Sequence, residues 1–456
     1  MGTTECSGQQ WGFSSASGRT ITAEFNGGTI TSDGGSVLLG EVDRKLRLLE
    51  RFGQCFLDGR DAGLVKHSVE QMARQRVYAL ALGYEDVNDH DQLRHDPLLA
   101  ALCGKRKPGE HTLAGKSTMN RLERGTTEPH RYRKITFWKP AIDDLLVDVF
   151  LEAHAGAPAE IVLDIDTTDV ELHGRQEDRF FHGFYGHYCY LPLYVFCGSH
   201  VLCARLRPAH VGPAVGAPGE LERIVTRIRA AWPEVRIILR GDSGFANDAL
   251  MTWCEQNHVD FVLGLARNPR LQSILADALV EARQQFETTR QPARVFSDFM
   301  HQTVSGTWTR KRRVVAKAEH IADQSGPGKS NPRFVVTSLD TEARQLYERI
   351  YCARGDMENR IKEQFQLFAG RASTSTLRAN QLRLYFSVIA YTLMDGLRSL
   401  GLRGTSLASA QPDTIRLRLL KIGALVRVTV RRVWVRMASA FPLQDVFSHA
   451  LLQLRS

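Results

Sequence analysis

Apolar residues recur at helical spacing through the first third of the chain, at intervals of three and four positions. Between Val37 and Leu49 this pattern predicts an amphipathic helix, and Ser68 is placed to cap another. The predicted helices cover residues 34–56, 67–82, 97–104 and 117–124. Together they predict a helical domain over residues 1–155. Its basic residues either read DNA, as in a helix-turn-helix protein, or form the solvated face of a packing domain.

Short apolar strands replace this pattern from Ile161 onward. Strands are predicted at 161–167, 188–196, 201–206, 236–240 and 260–265, with helices at 219–232 and 247–257. Three neighbouring strands followed by alternating helix and strand predict a mixed sheet flanked by helices. Residues 156–267 are therefore expected to begin a core domain of the α/β class.

The alternation stops after residue 267. Strands are predicted at 314–316 and 333–338, and a loop rich in Gly, Ser, Pro and Asn is predicted at 324–332. Residues 268–340 are thus expected to form a β-rich insertion. Helices return at 341–370 and 380–400, so residues 341–400 are expected to supply core helices.

The last region, residues 401–456, is strongly basic. It has nine Lys and Arg against two Asp, so its net charge is +7, within a chain whose formal net charge is +9. Between 425 and 435 arginines alternate with valines, which predicts a strand or a helix lying along DNA. A basic surplus suits a polyanionic partner, although many basic proteins bind no nucleic acid.

Apolar runs and cysteines exclude two other classes. No run of 18 or more apolar residues predicts a membrane helix, and the polar start resembles no signal peptide. A cytoplasmic protein without a membrane partner is expected. The eight cysteines include no C-x-x-C pair, so buried reduced thiols are expected rather than a zinc site.

Two aspartate-containing motifs follow predicted buried strands. In LDIDTT (163–168) side chains alternate, so Asp164 and Asp166 share one face. In RGDSGF (240–245) Asp242 comes directly after a strand, where ligand sites form in α/β sheets. Alternatively, these aspartates only cap the turns that end their strands.

A third acidic motif lies on a predicted helix. Tyr351, Arg354, Glu358 and Lys362 are spaced three, four and four apart and share one helix face. That face offers a ring that can stack, two cations for phosphate and a carboxylate for metal. Alternatively, it is a solvent face with ordinary ion pairs.

Converging carboxylates suit the cleavage of a phosphodiester. Two Mg²⁺ ions about 3.5–4 Å apart stabilise the charge on the attacking and leaving oxygens. Such hard cations prefer carboxylate oxygens, with water and phosphate completing their coordination shells. Clustered carboxylates repel one another, so they favour a bound cation.

Taken in order, LDIDTT, RGDSGF and Tyr351…Arg354…Glu358 resemble the DDE transposases of bacterial insertion sequences. The branch they resemble is the insertion-sequence thirteen-eighty family. GYED (83–86), LRHDP (93–97) and HYCYLPLYVF (187–196) are also similar to that branch. The resemblance covers residues 31–398.

The resemblance implies a ribonuclease-H-like fold with a β-rich insertion before the catalytic Glu. It implies that Asp166, Asp242 and Glu358 bind Mg²⁺ or Mn²⁺ and are catalytic. Asp166 is chosen over Asp164 because the family's Asp directly precedes a Thr pair, and Asp164 stays an alternative. Relatives carry a Lys seven positions after the Glu, whereas this chain has Phe365 there, and Lys362 is the nearest candidate.

The resemblance further implies that Tyr351, Arg354 and Lys362 bind DNA. The implied activity is cleavage of terminal inverted repeats and their joining to target DNA, of the cut-and-paste type, by a homodimer on double-stranded DNA. The implied location is the nucleoid. Two alternatives remain: a nuclease on the same core without strand transfer, and a domesticated DNA-binding protein.

Overall fold

The computed structural model describes residues 10–105, 107, 112–124, 134–304, 306–323 and 326–456. These residues form two compact units, each discontinuous in sequence. The first draws on Met1–Gly53, Arg60–Leu122 and Gly396–Ser456, and the second on Gln54–Gly59 and Glu123–Asp395. The basic C-terminal region therefore folds in the same unit as the first helices.

Most of the strands are of ordinary length for a globular protein, and the longest, β15, has 12 residues. In chain order they are β1 (Trp11–Ala16), β2 (Arg19–Ala23), β3 (Ile30–Thr31), β4 (Phe56–Asp58), β5 (Ile135–Phe137), β6 (Glu160–Thr167), β7 (Val170–Glu171), β8 (Phe180–His182), β9 (His187–Tyr190), β10 (Leu193–Cys197), β11 (His200–Arg205), β12 (Arg236–Gly241), β13 (Asp260–Leu265), β14 (Ala293–His301), β15 (Arg312–Asp323), β16 (Gly326–Ser330), β17 (Arg333–Thr337), β18 (Ala424–Val428) and β19 (Val433–Met437).

The helices are distributed over both units. In chain order they are α1 (Val37–Leu46), α2 (Leu48–Gln54), α3 (Val69–Ala81), α4 (His90–Leu93), α5 (Pro97–Leu102), α6 (Lys116–Glu123), α7 (Lys139–Glu152), α8 (Ala217–Ala231), α9 (Asp248–Gln256), α10 (Pro269–Ile274), α11 (Ala276–Thr289), α12 (Ala343–Gln345), α13 (Gly355–Phe365), α14 (Leu377–Gly396), α15 (Pro412–Ile415) and α16 (Gln444–Arg455). Among the described helices, none is long and apolar enough to cross a membrane.

A large mixed sheet is the centre of the second unit. Its strand order is β11-β10-β6-β12-β13-β17-β15-β14, and β16 pairs with β15. Strands β6, β12 and β13 are mutually parallel, and the other pairings are antiparallel. The predicted mixed sheet flanked by helices is confirmed.

Side-chain alternation gives this sheet two different faces. On β6 and β12, Leu163, Ile165 and Leu239 point into a large apolar core that also contains residues of α7, α8, α9 and α11. Ile238 points the other way, into a smaller core with Tyr347. Because side chains alternate along a strand, Asp164 and Asp166 lie on the face of this smaller core.

The helical segment on that second face is irregular. After α12 the chain forms a π-helical turn, Leu346–Tyr351, then a 3₁₀ turn, Cys352–Arg354, and then α13. The predicted helix over 341–370 is therefore not one regular α-helix, and α13 ends at Phe365. Isolated π turns are rare and often occur at functional sites.

Several predicted helices are confirmed, and one is divided. Ser68 caps α3, where its hydroxyl accepts a hydrogen bond from the Gln71 N–H at 3.1 Å. The single helix predicted over 34–56 is wrong: α1 ends where Arg47 takes a left-handed conformation, with φ of 50°. The Asp43 carboxylate accepts the Leu49 N–H at 2.8 Å and so begins α2 in a new direction.

The strand predicted over 188–196 is also divided. Strand β9 pairs with β7 and β8, whereas β10 joins the large sheet. The break falls at Leu191 and Pro192. Proline has no N–H to donate to a neighbouring strand, so an unbroken central strand is excluded there.

The segment predicted as a β-rich insertion continues the large sheet. Strand β17 pairs with β13, and β15 pairs with β17. The loop predicted over 324–332 is corrected from residue 326 onward, because Gly326–Ser330 forms β16 against the end of β15. Its first two positions, 324 and 325, lie outside the described residues. Gly328 has φ of 103°, so its left-handed backbone suits a residue without a side chain.

Candidate active site

Two aspartates meet at the carboxyl ends of adjacent parallel strands. Ile165 of β6 is the register partner of Gly241 of β12, so Asp166 and Asp242 are the next residues on each strand. Neighbouring strands lie about 4.8 Å apart. The large sheet therefore brings together two motifs that are 76 positions apart in the sequence.

Each of these aspartates also accepts a backbone hydrogen bond. Asp166 Oδ1 accepts the Thr167 N–H at 2.8 Å, and Asp242 Oδ1 accepts the Gly244 N–H at 2.9 Å. The turn-capping role that the sequence allows for Asp242 is thus present. In each carboxylate, capping uses Oδ1 and leaves Oδ2 for another partner.

Asp164 is paired differently. The Arg240 guanidinium donates to both its oxygens, Nε to Oδ1 at 2.5 Å and Nη2 to Oδ2 at 2.7 Å. Arg240 also donates to the Ile350 carbonyl at the π-helical turn. Both side chains are buried. Both oxygens of the Asp164 carboxylate are thus used in this ion pair. Through Arg240, the irregular helical segment is hydrogen-bonded to the sheet.

Arg354 joins the third acidic residue to the first. Its Nη1 donates to Asp166 Oδ2 at 2.9 Å, and its Nη2 donates to Glu358 Oε1 at 3.0 Å. Since C–N bonds of this order are about 1.33 Å long, the two carboxylate oxygens lie within about 9 Å of each other. The Glu358 side chain is 52% exposed, so solvent leaves it room to turn.

The carboxylates influence one another's charge. The pKa of Asp166 is raised to about 6, chiefly by burial and also by the Asp242 and Glu358 carboxylates, while Arg354 and the Thr167 N–H oppose the rise. Burial lowers the pKa of Arg354, but Asp166, Tyr351, Glu358 and Asp242 together outweigh this effect and raise it. All three acidic groups therefore act on the same cation.

The raised pKa of Asp166 predicts a pH effect on stability. The folded protein binds the proton of the Asp166 carboxyl more tightly than the unfolded chain does, because aspartates in an unfolded chain have a pKa of about 3.9. Stability from this group is therefore greatest below pH about 4 and falls as pH rises to about 6. In metal-free buffer, urea unfolding of Asp166→Asn protein should lack that part of the pH dependence. The exposed Asp298→Asn variant serves as the control, and equal pH slopes in all three proteins would contradict the prediction.

A cavity of about 430 Å³ opens beside Asp242. Its lining includes Tyr351, Arg354, Arg267 and Arg333. The Tyr351 ring is tilted against Tyr347, with ring centroids 5.5 Å apart. Tyr351 and Arg354 thus share a basic cavity with a proposed metal ligand.

Lys362 lies apart from these side chains. It is exposed in the last turn of α13, one turn beyond Glu358. Within the described residues its ammonium has no side-chain partner. Of the six residues singled out in the sequence, the structure gathers five and leaves Lys362 on the solvent face beside them.

Gly264 sets the position of Tyr351. A Cβ at Gly264 would lie 2.5 Å from the Tyr351 hydroxyl oxygen and 3.0 Å from the Ser243 nitrogen. We expect Gly264→Ala to displace Tyr351 and lower DNA cleavage by about tenfold or more, since small misplacements at an active site are costly. Cleavage rates in the Tyr351→Phe background test the cause. In the Tyr351→Phe background, Gly264→Ala should lower the cleavage rate less. An equal loss of rate in both backgrounds would indicate that the alanine acts through Ser243 instead.

Some residues of the site were not singled out in the sequence. Arg240 stood in a quoted motif, but its partner became visible only through the register of β6 and β12. Arg267 lies two residues after the end of β13 and Arg333 is the first residue of β17, and the two arginines are 66 positions apart in the sequence. No local pattern connects them, so only the pairing of those strands could have found them.

The donor set fits a divalent cation in its chemistry. The available groups are carboxylates, which Mg²⁺ prefers, and their mutual repulsion helps to raise the pKa of Asp166. Across the described residues, no three His, Cys, Asp or Glu side chains are arranged as a finished metal cluster. At this site the Arg354 guanidinium lies between Asp166 and Glu358.

Comparison with known families supports a transposase. The family described as "Transposase DDE domain group 1" matches residues 13–456. No curated protein sequence matches the chain. The family match includes all three acidic motifs and both compact units. The chain therefore belongs to this family of DDE transposases.

Proposed function

We propose that this transposase cleaves the terminal inverted repeats of an insertion sequence and joins them to target DNA by a cut-and-paste route. Asp166, Asp242 and Glu358 are its catalytic residues. The proposal depends on one observation: two aspartates end adjacent parallel strands, and Arg354 ties the glutamate to the first of them. The sheet order, with these aspartates on neighbouring strands β6 and β12, supports a ribonuclease-H-like core.

The three carboxylates would hold Mg²⁺ or Mn²⁺. When bound, such ions stabilise charge on the attacking and leaving oxygens of the phosphodiester. Asp166 and Glu358 would hold such a cation with oxygens that accept from the Arg354 guanidinium in this structure. Arg354 has a planar fork of donors and is placed to bind a DNA phosphate beside the three carboxylates.

The cavity beside Asp242 would receive the DNA end. Arg267 and Arg333 line it with Arg354, and they supply positive charge for the phosphate backbone. Tyr351 offers a ring on which an exposed base can stack, and Lys362 reaches phosphate from the outer side of α13. Terminal repeats come in pairs, so a homodimer would bridge the two ends on the nucleoid.

The substrate for a test is the DNA that flanks the gene. A labelled duplex carrying a flanking inverted repeat should be nicked at the repeat end with Mg²⁺ or Mn²⁺. A pre-cut end should then be joined to a plasmid. Nicking without joining would favour a nuclease on the same core, and DNA binding without nicking would favour a domesticated DNA-binding protein.

Asp164 has a supporting role in this proposal. Its carboxylate is held by Arg240, so we assign it to the support of the helical segment rather than to metal binding. As a proposed member of the insertion-sequence thirteen-eighty family, the chain thus uses Asp166 alone from the first motif.

A further inference from the structure

The alternating basic segment near the C-terminus forms a projecting β-hairpin. Strands β18 and β19 pair antiparallel, with Arg427 opposite Trp434 and Leu425 opposite Arg436. The Thr429 N–H donates to the Arg432 carbonyl at 2.8 Å and closes the turn. Of the strand or helix predicted over 425–435, the strand is confirmed in part, since the segment holds two strands and a turn.

The base of this hairpin is firmly anchored in its own unit. β18 pairs with β3, and the Val426 N–H donates to the Thr29 carbonyl at 2.8 Å. Ala424 and Met437 lie against Gly34, where an added Cβ would be 2.8 Å and 3.5 Å from them. Packing therefore holds one end, while at the tip Val430 is 104% exposed.

One face of the hairpin is cationic and aromatic. Because side chains alternate, Arg427, Arg432, Trp434 and Arg436 share the outward face, and Arg431 lies at the turn. The Arg432 guanidinium stacks over the Trp434 ring, 5.6 Å from its centroid. Trp434 is 45% exposed. The opposite face carries Val426, which is buried.

The four arginines are not neutralised within the described parts of the chain. Arg427, Arg431, Arg432 and Arg436 form no ion pair there, in contrast to Arg416 and Lys421 just before the hairpin, which pair with Asp413 and Asp33. Four unpaired guanidiniums around an exposed indole suit an external polyanion. Because they are distributed over two strands and a turn, a partner with several negative charges can engage more of them than a single acidic side chain can.

We propose that residues 424–437 are a DNA-binding β-ribbon that docks in the major groove of duplex DNA through the Arg427, Arg431, Arg432, Trp434 and Arg436 face. The major groove, about 12 Å wide, admits a two-stranded ribbon. Arginine forks bind phosphate or the guanine edge bidentately. This inference rests on the proposed function only in taking DNA as the partner, and it is independent of the carboxylate site.

Binding of a labelled duplex by the full-length protein, measured by fluorescence anisotropy in EDTA across a salt series, tests the ribbon. Replacing all four arginines by glutamine should weaken binding by at least tenfold. It should also make the plot of log affinity against log salt shallower by about 0.9 for each DNA phosphate that the variant no longer neutralises. Two double variants replace the fourfold variant if it folds poorly: Arg427→Gln/Arg436→Gln and Arg431→Gln/Arg432→Gln. Each of them should show part of the effect.

A matched control removes the same charge elsewhere in the unit, by Arg44→Gln, Lys45→Gln, Arg403→Gln and Arg418→Gln together. These four side chains are exposed and lie outside the hairpin. The control should bind like the unaltered protein. An equal loss in the control, or an unchanged affinity and salt slope in the hairpin variant, would overturn the ribbon. The ribbon would also be overturned by a hairpin variant that binds DNA like the unaltered protein but has lost binding to anionic phospholipid vesicles.

The same measurement separates the ribbon from the proposed function. In EDTA the carboxylate site holds no divalent cation, so the affinities of the hairpin variants and of the Arg44, Lys45, Arg403 and Arg418 control report on the ribbon and not on cleavage. Failure of the unaltered protein to bind any duplex would overturn both ideas. Normal cleavage at saturating DNA by the hairpin variant, with weakened affinity, would support both.

Discussion

Asp242→Asn protein is expected to lose DNA cleavage by more than about 10²-fold, the range seen when a group that stabilises transition-state charge is removed. The substitution should preserve the fold. The amide oxygen of Asn still accepts the Gly244 N–H that Asp242 Oδ1 accepts at 2.9 Å. Only the negative charge beside Asp166 disappears. A loss of activity in a folded protein would therefore report on metal binding and catalysis.

Initial nicking rates at several Mn²⁺ concentrations are the measurement. Asp298→Asn is the matched control, because Asp298 lies on an exposed part of β14 in the same unit, paired with Arg313. The control should cleave within about twofold of the unaltered protein. Activity of Asp242→Asn protein within about threefold of the unaltered protein would remove Asp242 from the catalytic set.

The same substitution also predicts an electrostatic effect at its neighbour. The Asp242 carboxylate contributes to raising the pKa of Asp166. With Asn at position 242, the pKa of Asp166 should fall towards its ordinary value. Loss of cleavage without this fall, measured by pH-dependent unfolding in metal-free buffer, would show that the two side chains act separately.

Arg240→Met protein is expected to lose about 3–5 kcal/mol of unfolding free energy, the usual cost of removing one partner of a buried ion pair. Asp164 would then be buried with neither of its oxygens accepting from a guanidinium. The hydrogen bond from Arg240 to the Ile350 carbonyl would also be lost, so the π-helical turn before Tyr351 would loosen. Urea denaturation measures the first effect, and hydrogen exchange of the 346–351 amides measures the second.

Arg236→Met is the matched control on the same strand. Arg236 also pairs with two carboxylates, those of Glu160 and Asp260, but it is 53% exposed. Exposed pairs contribute roughly 0–1 kcal/mol, so this variant should stay close to the unaltered protein. Arg240→Met combined with Asp164→Leu should recover part of the loss, because no charge is left buried. Equal stability of the two single variants would contradict a structural role for the Arg240–Asp164 pair.

The sequence predicts the centre of the sheet well because its strands are apolar and buried. The strand predicted over 236–240 is β12 (Arg236–Gly241), and that over 260–265 is β13 (Asp260–Leu265). Parallel strands covered on both faces have nearly continuous apolar runs. The polar residues that end those runs were therefore recognisable as candidates for a site.

Predictions failed where contacts outside the apolar periodicity decide the local structure. Near the break at Arg47 the Asp43 carboxylate accepts the Leu49 N–H, and between β9 and β10 the chain passes from one sheet to another. The hairpin of β18 and β19 turns without glycine or asparagine, the residues that usually mark a tight hairpin turn. Periodicity alone could not locate its turn.

The candidate site shows the same contrast between what the local sequence predicts and what contacts in the fold decide. The motifs identify Asp166, Asp242 and Glu358, but nothing local says that Arg354 lies between two of them. Nor does the pattern choose between Asp164 and Asp166 without the family resemblance. Strand register supports Asp166, because it places Arg240 directly beside Asp164.

The pairing of β17 with β13 has a consequence for how members of this family can differ in size. The chain leaves β13 through α10 and α11, reaches β14 at the edge of the sheet, and returns through β15 and β16 to β17, which lies beside β13. Residues 268–332 therefore begin and end at neighbouring strands. Arg267 and Arg333 mark those ends and line the cavity. A foreign module grafted into a loop of this excursion, with β15 kept as the neighbour of β17, would leave that cavity wall in place.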